Sequence, residues 1–315
     1  MLGGGVGCSR LAVALADEIG PSRLTLIVNT ADDLWRYGLR ICPDLDTNLY
    51  ALAGLRDEVQ GWGLAGDTFQ TMDQLGRLGH DTWFHLGDRD LATHMVRTEM
   101  LAGGLALSEA TAGLAERFGI ETRLLPMTDS EVGTVLGMHD GTHTFQEWFV
   151  ELGAPGPVEQ VIYDGIEHAV PAPGVLDAIA DAELVVLGPS NPVSSIEPIL
   201  ALPDVRDHLM SRRSSVVAVT PVVESVGITN NGDAHRARAR RTLMHARGLT
   251  DSSTDVAALY TDLAATFVLD ARDASCAPAI EANGQRVVPA DTIIADAERG
   301  RQLAQNVLAC AARRL

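Results

Sequence analysis

The chain contains no lysine: all 24 of its basic residues are arginines. That absence excludes a Schiff base on a lysine amine and the lysine of a Walker-type phosphate loop. Cysteine is scarce too. Cys8, Cys42, Cys276 and Cys310 stand far apart with no Cys-x-x-Cys pair, which excludes a zinc finger or disulfide framework and reads as reduced thiols. Positive charge is in deficit, since 24 arginines against 42 Asp and Glu give 24 − 42 = −18. Such a balance repels polyanions, so neither nucleic acid nor an anionic membrane is expected as a partner. No apolar run approaches the ~20 residues that span a bilayer. The opening Met-Leu-Gly-Gly-Gly lacks the basic and apolar stretches of a secretory leader, so a soluble, cytoplasmic protein is expected.

The 315 residues, 46% hydrophobic and 21% charged, are ample for a folded chain with a large core. Short apolar runs at 24–28, 83–86, 184–187, 216–219 and 267–269 each end in Gly, Asn, Asp or Pro. Between them, 11–19, 91–102, 108–118, 175–182 and 256–264 read as helices. Strands alternating with helices predict an α/β, Rossmann-like, doubly wound fold with a mostly parallel sheet, whose ligands gather at the strands' carboxyl ends. The rhythm breaks at about 124–167, expected to be an inserted hairpin or lid within a single domain spanning 1–315.

The turn Gly3-Gly4-Gly5-Val6-Gly7-Cys8-Ser9-Arg10 runs into a helix. It reads as a phosphate cradle, with Arg10 as the cation, or as a plain turn. Only Met1 and Leu2 precede it, so the first strand is expected to be missing or abbreviated, with a natural start upstream. Asn29-Thr30-Ala31-Asp32-Asp33 and Pro43-Asp44-Leu45-Asp46-Thr47 bring four carboxylates to strand ends, where they repel unless a cation sits among them. Mg²⁺ suits such ligands. Helix capping accounts for Asp33 or Asp46 singly, but not for all four.

Gly87-Asp88-Arg89-Asp90, flanked by His85 and His94, offers Arg89 as an anion receptor or as one half of a salt bridge capping a helix. Gly188-Pro189-Ser190-Asn191-Pro192-Val193-Ser194-Ser195 reads as a rigid loop of side-chain donors, or as an ordinary strand–helix turn. His139 and His143 have metal spacing only on a helix, and Asp140-Gly141 between them argues for a turn, so zinc is not expected. The arginine run at 236–241 either grips a phosphate or forms a solvated helix face. Phe145, Trp148 and Phe149 are core or a stacking platform.

In their order along the chain, these strings resemble one family. They are Gly4-Gly5-Val6-Gly7, Asn29-Thr30-Ala31-Asp32-Asp33, and Gly38 through Pro43-Asp44-Leu45-Asp46-Thr47. They continue with Gly61-Trp62-Gly63, Gly87-Asp88-Arg89-Asp90-Leu91-Ala92-Thr93-His94, Phe145-Gln146-Glu147-Trp148 and Gly188-Pro189-Ser190-Asn191-Pro192. The sequence is similar to the CofD/FbiA transferases of coenzyme F420 biosynthesis over nearly its whole length. The resemblance implies transfer of a phospho-acid (2-phospholactate, phosphoenolpyruvate or phosphoglycerate) from its guanosine diphosphate ester to the hydroxyl of the deazaflavin FO, with release of GMP, in a homodimer that uses Mg²⁺. It implies Asp32, Asp44 and Asp46 as metal ligands, with Asp44, Asp46 and Arg89 as catalytic groups. Gly4, Gly5, Gly7, Ser190 and Asn191 hold the guanosine diphosphate end, and Trp148 the deazaflavin ring. Gly227 through Asp233 departs from the family's small-residue pattern, so no substrate contact is assigned after Pro221. The alternative is a nucleotide-sugar-binding regulator of the related gluconeogenesis-factor family, which shares the glycine turn and the Asp-Asp pair. The Gly87–His94 and Phe145–Trp148 strings favour the transferase.

Overall fold

Seven short strands, each parallel to its neighbours, form the central sheet of a computed structural model that describes residues 1–228 and 230–312. Strand β1 (Leu2–Gly3) leads directly into helix α1 (Gly5–Ile19). After β2 (Thr25–Val28) comes a hairpin of β3 (Leu34–Arg36) and β4 (Leu39–Ile41), then α2 (Pro43–Leu52). Helices α3 (Gln70–Arg77), α4 (Asp88–Ala102) and α5 (Leu107–Arg117) precede β5 (Arg123–Pro126). An antiparallel sheet of β6 (Gly133–Met138), β7 (Gly141–Thr144) and β8 (Gln160–Asp164) follows. The chain continues through α6 (Val175–Asp181), β9 (Val185–Leu187), α7 (Glu197–Leu200), α8 (Val205–Ser211) and β10 (Val216–Val219). It ends with α9 (Asn231–Ala246), α10 (Ser253–Leu259), β11 (Thr266–Asp270), α11 (Ala277–Ala282), β12 (Arg286–Ala290) and α12 (Ala297–Ala312).

The strand order is β12-β11-β10-β9-β1-β2-β5. The chain winds outward from β1 on one side and from β9 on the other, so the crevice where loops diverge lies between these two. Both faces of the sheet are apolar because alternate strand residues point to opposite sides. Leu26, Val28, Val186 and Val217 pack on Leu11 and Leu15 of α1, Leu45 and Leu49 of α2, and Leu303 and Val307 of α12. Ile27, Leu187, Ala218 and Phe267 pack on the other face with Val175, Ile179, Leu209, Leu243 and Val256. This is the expected doubly wound α/β architecture.

The first strand is short but not missing. Met1 O accepts from Ile27 N (2.9 Å), Leu2 O from Gly188 N (2.9 Å) and Gly3 O from Asn29 N (3.1 Å), so Leu2 is paired with both β2 and β9 and Gly3 with β2. Three expectations need correction. The run at 83–86 is no strand but an extended loop before α4, because its residues find partners by side chain rather than by ladder: Arg36 lies over the Trp83 ring at 4.7 Å, and Leu86 packs with Ile41, Met72 and Leu91. The helix expected at 256–264 starts earlier, where Ser252 Oγ accepts from Asp255 N (3.1 Å), and ends at Leu259. Residues 124–126 belong to β5 of the main sheet, so the excursion begins after them. The excursion holds the β6–β7 hairpin, one of the two forms expected, extended by β8 to a three-stranded sheet in which Leu136, Val161 and Tyr163 are buried in the core. His139 and Asp140 form the hairpin turn between β6 and β7, the turn expected from Asp140-Gly141. Among the described residues no helix is long and apolar enough to cross a membrane.

Candidate active site

The glycine turn sits at the crevice between β1 and β9. Helix α1 follows Gly4, which has no side chain to cap it, and has no acidic residue in its first turn, so its positive dipole end faces the crevice. Two close approaches explain the glycines. A β-carbon on Gly7 would stand 2.3 Å from the Pro189 carbonyl oxygen, and one on Gly4 would meet the Asp44 carboxylate. Ser190 clamps this turn: its hydroxyl accepts from Gly4 N (3.0 Å) and donates to Gly4 O (2.9 Å). Asn191 Oδ1 accepts from Val193 N (3.0 Å) and Ser194 N (3.3 Å), fixing the loop after β9. Both residues line the crevice while holding its shape.

A cavity of about 900 Å³ opens over this turn. Gly4, Gly5, Gly7 and Arg10 form its floor, Asp32, Asp44 and Asp46 one side, and Ser190 and Asn191 another. Trp62, Trp83, Phe84, Phe145 and Phe149 give it an aromatic wall.

The aspartates separate into two groups. Asp44, in the first turn of α2, accepts from Asn29 Nδ2 (3.1 Å) and from the Gly5 amide. Asp32 faces it with Oδ1 buried and without a hydrogen-bond partner. Burial, and then the charges of Asp44 and Asp33, raise the Asp32 carboxyl well above its ordinary range. Burial likewise pushes Asp44 up to about 6 against the hydrogen bonds that lower it. Two buried carboxylates that resist ionising side by side, one with an orphan oxygen, match a divalent cation that takes one or two carboxylates and substrate phosphates.

Asp46 belongs elsewhere. Both of its oxygens are held by the Arg97 guanidinium, through Nη1 at 3.0 Å and through Nη2, and His94 Nδ1 lies 3.5 Å away. Of the three aspartates expected as metal ligands, Asp46 is the one already neutralised by an arginine, whereas Asp32 and Asp44 have no cationic partner among the described residues. Among the described residues no three His, Cys, Asp or Glu side chains stand together as a metal-binding group. Asp33 also turns away, its side chain 1% exposed and 3.2 Å from Arg40 Nη2.

Two further residues sit where their expected roles have no access. Arg89 is exposed outside the cavity wall, its guanidinium donating to the Ala65 carbonyl (3.1 Å), while its backbone N–H joins that of Asp90 on the Asp67 carboxylate. Neither of its two readings describes the structure: Arg89 forms no salt bridge among the described residues, and the start of the helix is capped by Asp67. Trp148 is fully buried, its indole donating to Pro155 O (2.8 Å), so it is core and offers no face to a ring. Its neighbours Phe145, Gln146 and Phe149 reach the cavity instead, and Gln146 Nε2 ties the segment to Asp32 O (3.0 Å).

The sequence alone missed two parts of the site. The first is the wall after Pro221, where Val223, Val226, Ile228, Asn230, Asp233, Arg236 and Arg240 all line the cavity. The spacing of Arg236 and Arg240, one turn apart in the arginine run, carried that signal. Arg236 pairs with Asp233 (2.7 Å) and Arg240 with Asp251 (2.7 Å), while Arg238 and Arg241 are exposed. Arg10 has no hydrogen bond or ion pair among the described residues, and burial followed by the nearby Arg56 and Arg236 works against its charge. The second is Tyr50, whose hydroxyl donates to Asp90 Oδ1 (2.5 Å), and Asp90 in turn lies 3.3 Å from His94 Nε2.

The family model of 2-phospho-L-lactate transferase CofD matches residues 1–308. A protein named 2-phospho-L-lactate transferase from Methanosarcina acetivorans is 39% identical over 98% of this chain and 97% of its own. A phosphoenolpyruvate transferase from Thermobifida fusca is 42% identical over 87% of this chain and 86% of its own. One from Streptomyces coelicolor is 38% identical over 99% and 97%. Among solved structures, a UPF0052-family protein from Bacillus halodurans superposes with a TM-score of 0.60 at 16% identity, covering 98% of this chain and 97% of that one, a likeness of fold alone. The glycine turn, the strand-end aspartates and full-length matches to transferases at 38–42% identity agree, and the chain belongs to the CofD family of 2-phospho-L-lactate transferases, enzymes of coenzyme F420 biosynthesis.

Proposed function

We propose that the cavity holds two substrates together: a guanosine diphosphate ester of a small phospho-acid over the glycine turn, and the deazaflavin alcohol FO against the aromatic wall. About 900 Å³ is at the upper end of the ~300–1,000 Å³ usual for small-molecule pockets, as two occupants require. The hydroxyl oxygen of FO forms a bond to the acid-bearing phosphorus, the bond from that phosphorus to the guanylyl oxygen breaks, and GMP leaves with the electron pair. Asp46 orients the hydroxyl and passes its proton to water. The positive dipole end of α1 and the Arg10 guanidinium meet the negative oxygens of the donor. Asp32 and Asp44 would hold Mg²⁺, which supplies charge neutralisation on the transferring group. The same reading makes the protein a cytoplasmic homodimer.

The observation that carries this reading is the buried Asp32–Asp44 pair beside the start of α1. Purified protein incubated with FO, Mg²⁺ and synthetic guanosine diphosphate esters of phospholactate, phosphoenolpyruvate and phosphoglycerate, with products read by mass spectrometry, tests it. The expected result is one FO phosphodiester per GMP released. GMP release that is independent of FO, or no product from any donor, removes the assignment.

A further inference from the structure

Asp46 lies on α2, on a stretch of cavity wall backed by a cluster of buried polar groups from α2 and α4. Arg97, on α4, is 1% exposed, and an arginine so deep is rare unless paired. Its two terminal nitrogens take the two oxygens of Asp46, and Nη1 also points to Arg40 O (3.4 Å) and to His94 Nδ1 (3.3 Å). His94, itself 1% exposed, stands between Asp46 and Asp90, and Tyr50 closes the chain on Asp90. Asp46, Tyr50, Asp90 and His94 line the cavity; Arg97 does not.

We propose that Arg97 is a positioning residue of the transfer reaction, acting through Asp46. A carboxylate gripped bidentately has one orientation, and the planar fork fixes both its plane and its depth. The two oxygens keep their outer lone pairs for the acceptor hydroxyl, which is thereby aimed at phosphorus. Removing the fork lets Asp46 swing, and a displacement of about 1 Å at a reacting atom costs on the order of a hundredfold in rate. Lysine in place of Arg97 supplies the charge as a single point and cannot fix the plane. The arrangement also accounts for two carboxylates only two residues apart on α2 doing different work, Asp44 facing Asp32 and Asp46 facing Arg97. The inference rests on the proposed function, in which Asp46 touches the acceptor hydroxyl.

Steady-state kinetics on Arg97→Met, Arg97→Lys, Asp46→Asn and the double variant Asp46→Asn/Arg97→Met, at saturating Mg²⁺, test it. In Arg97→Met, kcat should fall about a hundredfold with KM for both substrates unchanged, and added guanidinium ion should recover part of the loss. Arg97→Lys should recover stability more fully than kcat. Asp46→Asn and the double variant should share one kcat, because Arg97 has nothing to act through once Asp46 is neutral. Arg97→Met leaves a buried carboxylate unpaired and threatens folding; the double variant removes both charges and keeps the comparison available. A double variant well below Asp46→Asn in kcat, or a folded Arg97→Met with wild-type kcat, overturns the proposal. Wild-type kcat in Asp46→Asn is a different failure: it removes Asp46 from the reaction and with it the reading of the site.

Discussion

A β-carbon built on Gly4 would stand 1.9 Å from Oδ2 of Asp44, inside any permissible contact. The Gly4 backbone has φ −160°, an extended value open to every residue, so space and not conformation demands glycine here. Asp44 cannot yield freely, because Asn29 Nδ2 holds it at 3.1 Å and the Gly5 amide holds it from the other side. Gly4→Ala should therefore expel Asp44 from its place over the turn. We expect a loss of activity on the order of a hundredfold and a destabilisation of about 1–3 kcal/mol. Combining it with Asp44→Ala should return stability without returning activity, as thermal melts and turnover assays will show.

The buried carboxylates make a second prediction, about the conflict between stability and function. Asp32 and Asp44 face one another with burial opposing both charges. Asp44→Asn removes one charge and keeps the shape, so the metal-free protein should gain about 1 kcal/mol of stability. The variant should lose dependence on Mg²⁺ together with at least about a hundredfold of its activity. Melting temperatures with and without Mg²⁺ read both effects. A wild-type response to the ion in Asp44→Asn would detach this residue from the metal.

How much could be read from the sequence depends on the range of the interactions involved. Strands such as β2 and β10 announce themselves as apolar runs ended by turn residues, and their order as alternating units fixes a doubly wound sheet. The aspartates after β2 and on α2 were legible as a group because four like charges near strand ends need an explanation. Their division was not, since it depends on Arg97, 51 residues beyond Asp46 and brought there only by the tertiary fold, with α4 packed on β4. Aromatic strings mislead for a related reason. The same pattern at Phe145 to Phe149 places Trp148 inward and Phe149 toward the cavity, and only the turn after it decides which. The wall formed by α9 was hidden because its sequence is that of a solvated arginine-rich helix, two of whose arginines face inward.

Arg10 and Arg89 give a paired prediction. Both are arginines near the beginning of a helix, but Arg10 lines the cavity and lacks a partner among the described residues, whereas Arg89 is turned to the Ala65 carbonyl outside it. Arg10→Gln should raise KM for the guanosine diphosphate ester about tenfold or more, the loss of a charge-assisted bond of ~1.5–3 kcal/mol. Arg89→Gln should leave both Michaelis constants in place. Equal effects from the two variants would mean that this part of the cavity wall does not contact the donor.

The last prediction concerns acid stability and the far end of the same cavity. Asp270, at the end of β11, is fully buried and accepts from Arg272 N (3.0 Å), Arg272 Nε (2.6 Å), Thr292 N (2.9 Å) and Thr292 Oγ1 (2.8 Å). It thus pins the loop after β12, whose Thr292, Ile293 and Ile294 line the cavity. Burial alone would raise the Asp270 carboxyl, but the hydrogen bonds from Arg272 and Thr292 win and bring it down to about 2. A carboxyl depressed in the folded state favours folding wherever it is ionised in the unfolded chain. Its contribution is complete above the ordinary carboxyl range near pH ~4 and is lost as the pH falls toward and through 2. Asp270→Asn has no such dependence. The stability gap between wild type and variant should therefore be about 1–2 kcal/mol near neutrality and should close progressively below pH ~4. Paired thermal melts across that range measure it, and a gap that stays constant with pH would show that Asp270 does not carry the charge the geometry assigns to it.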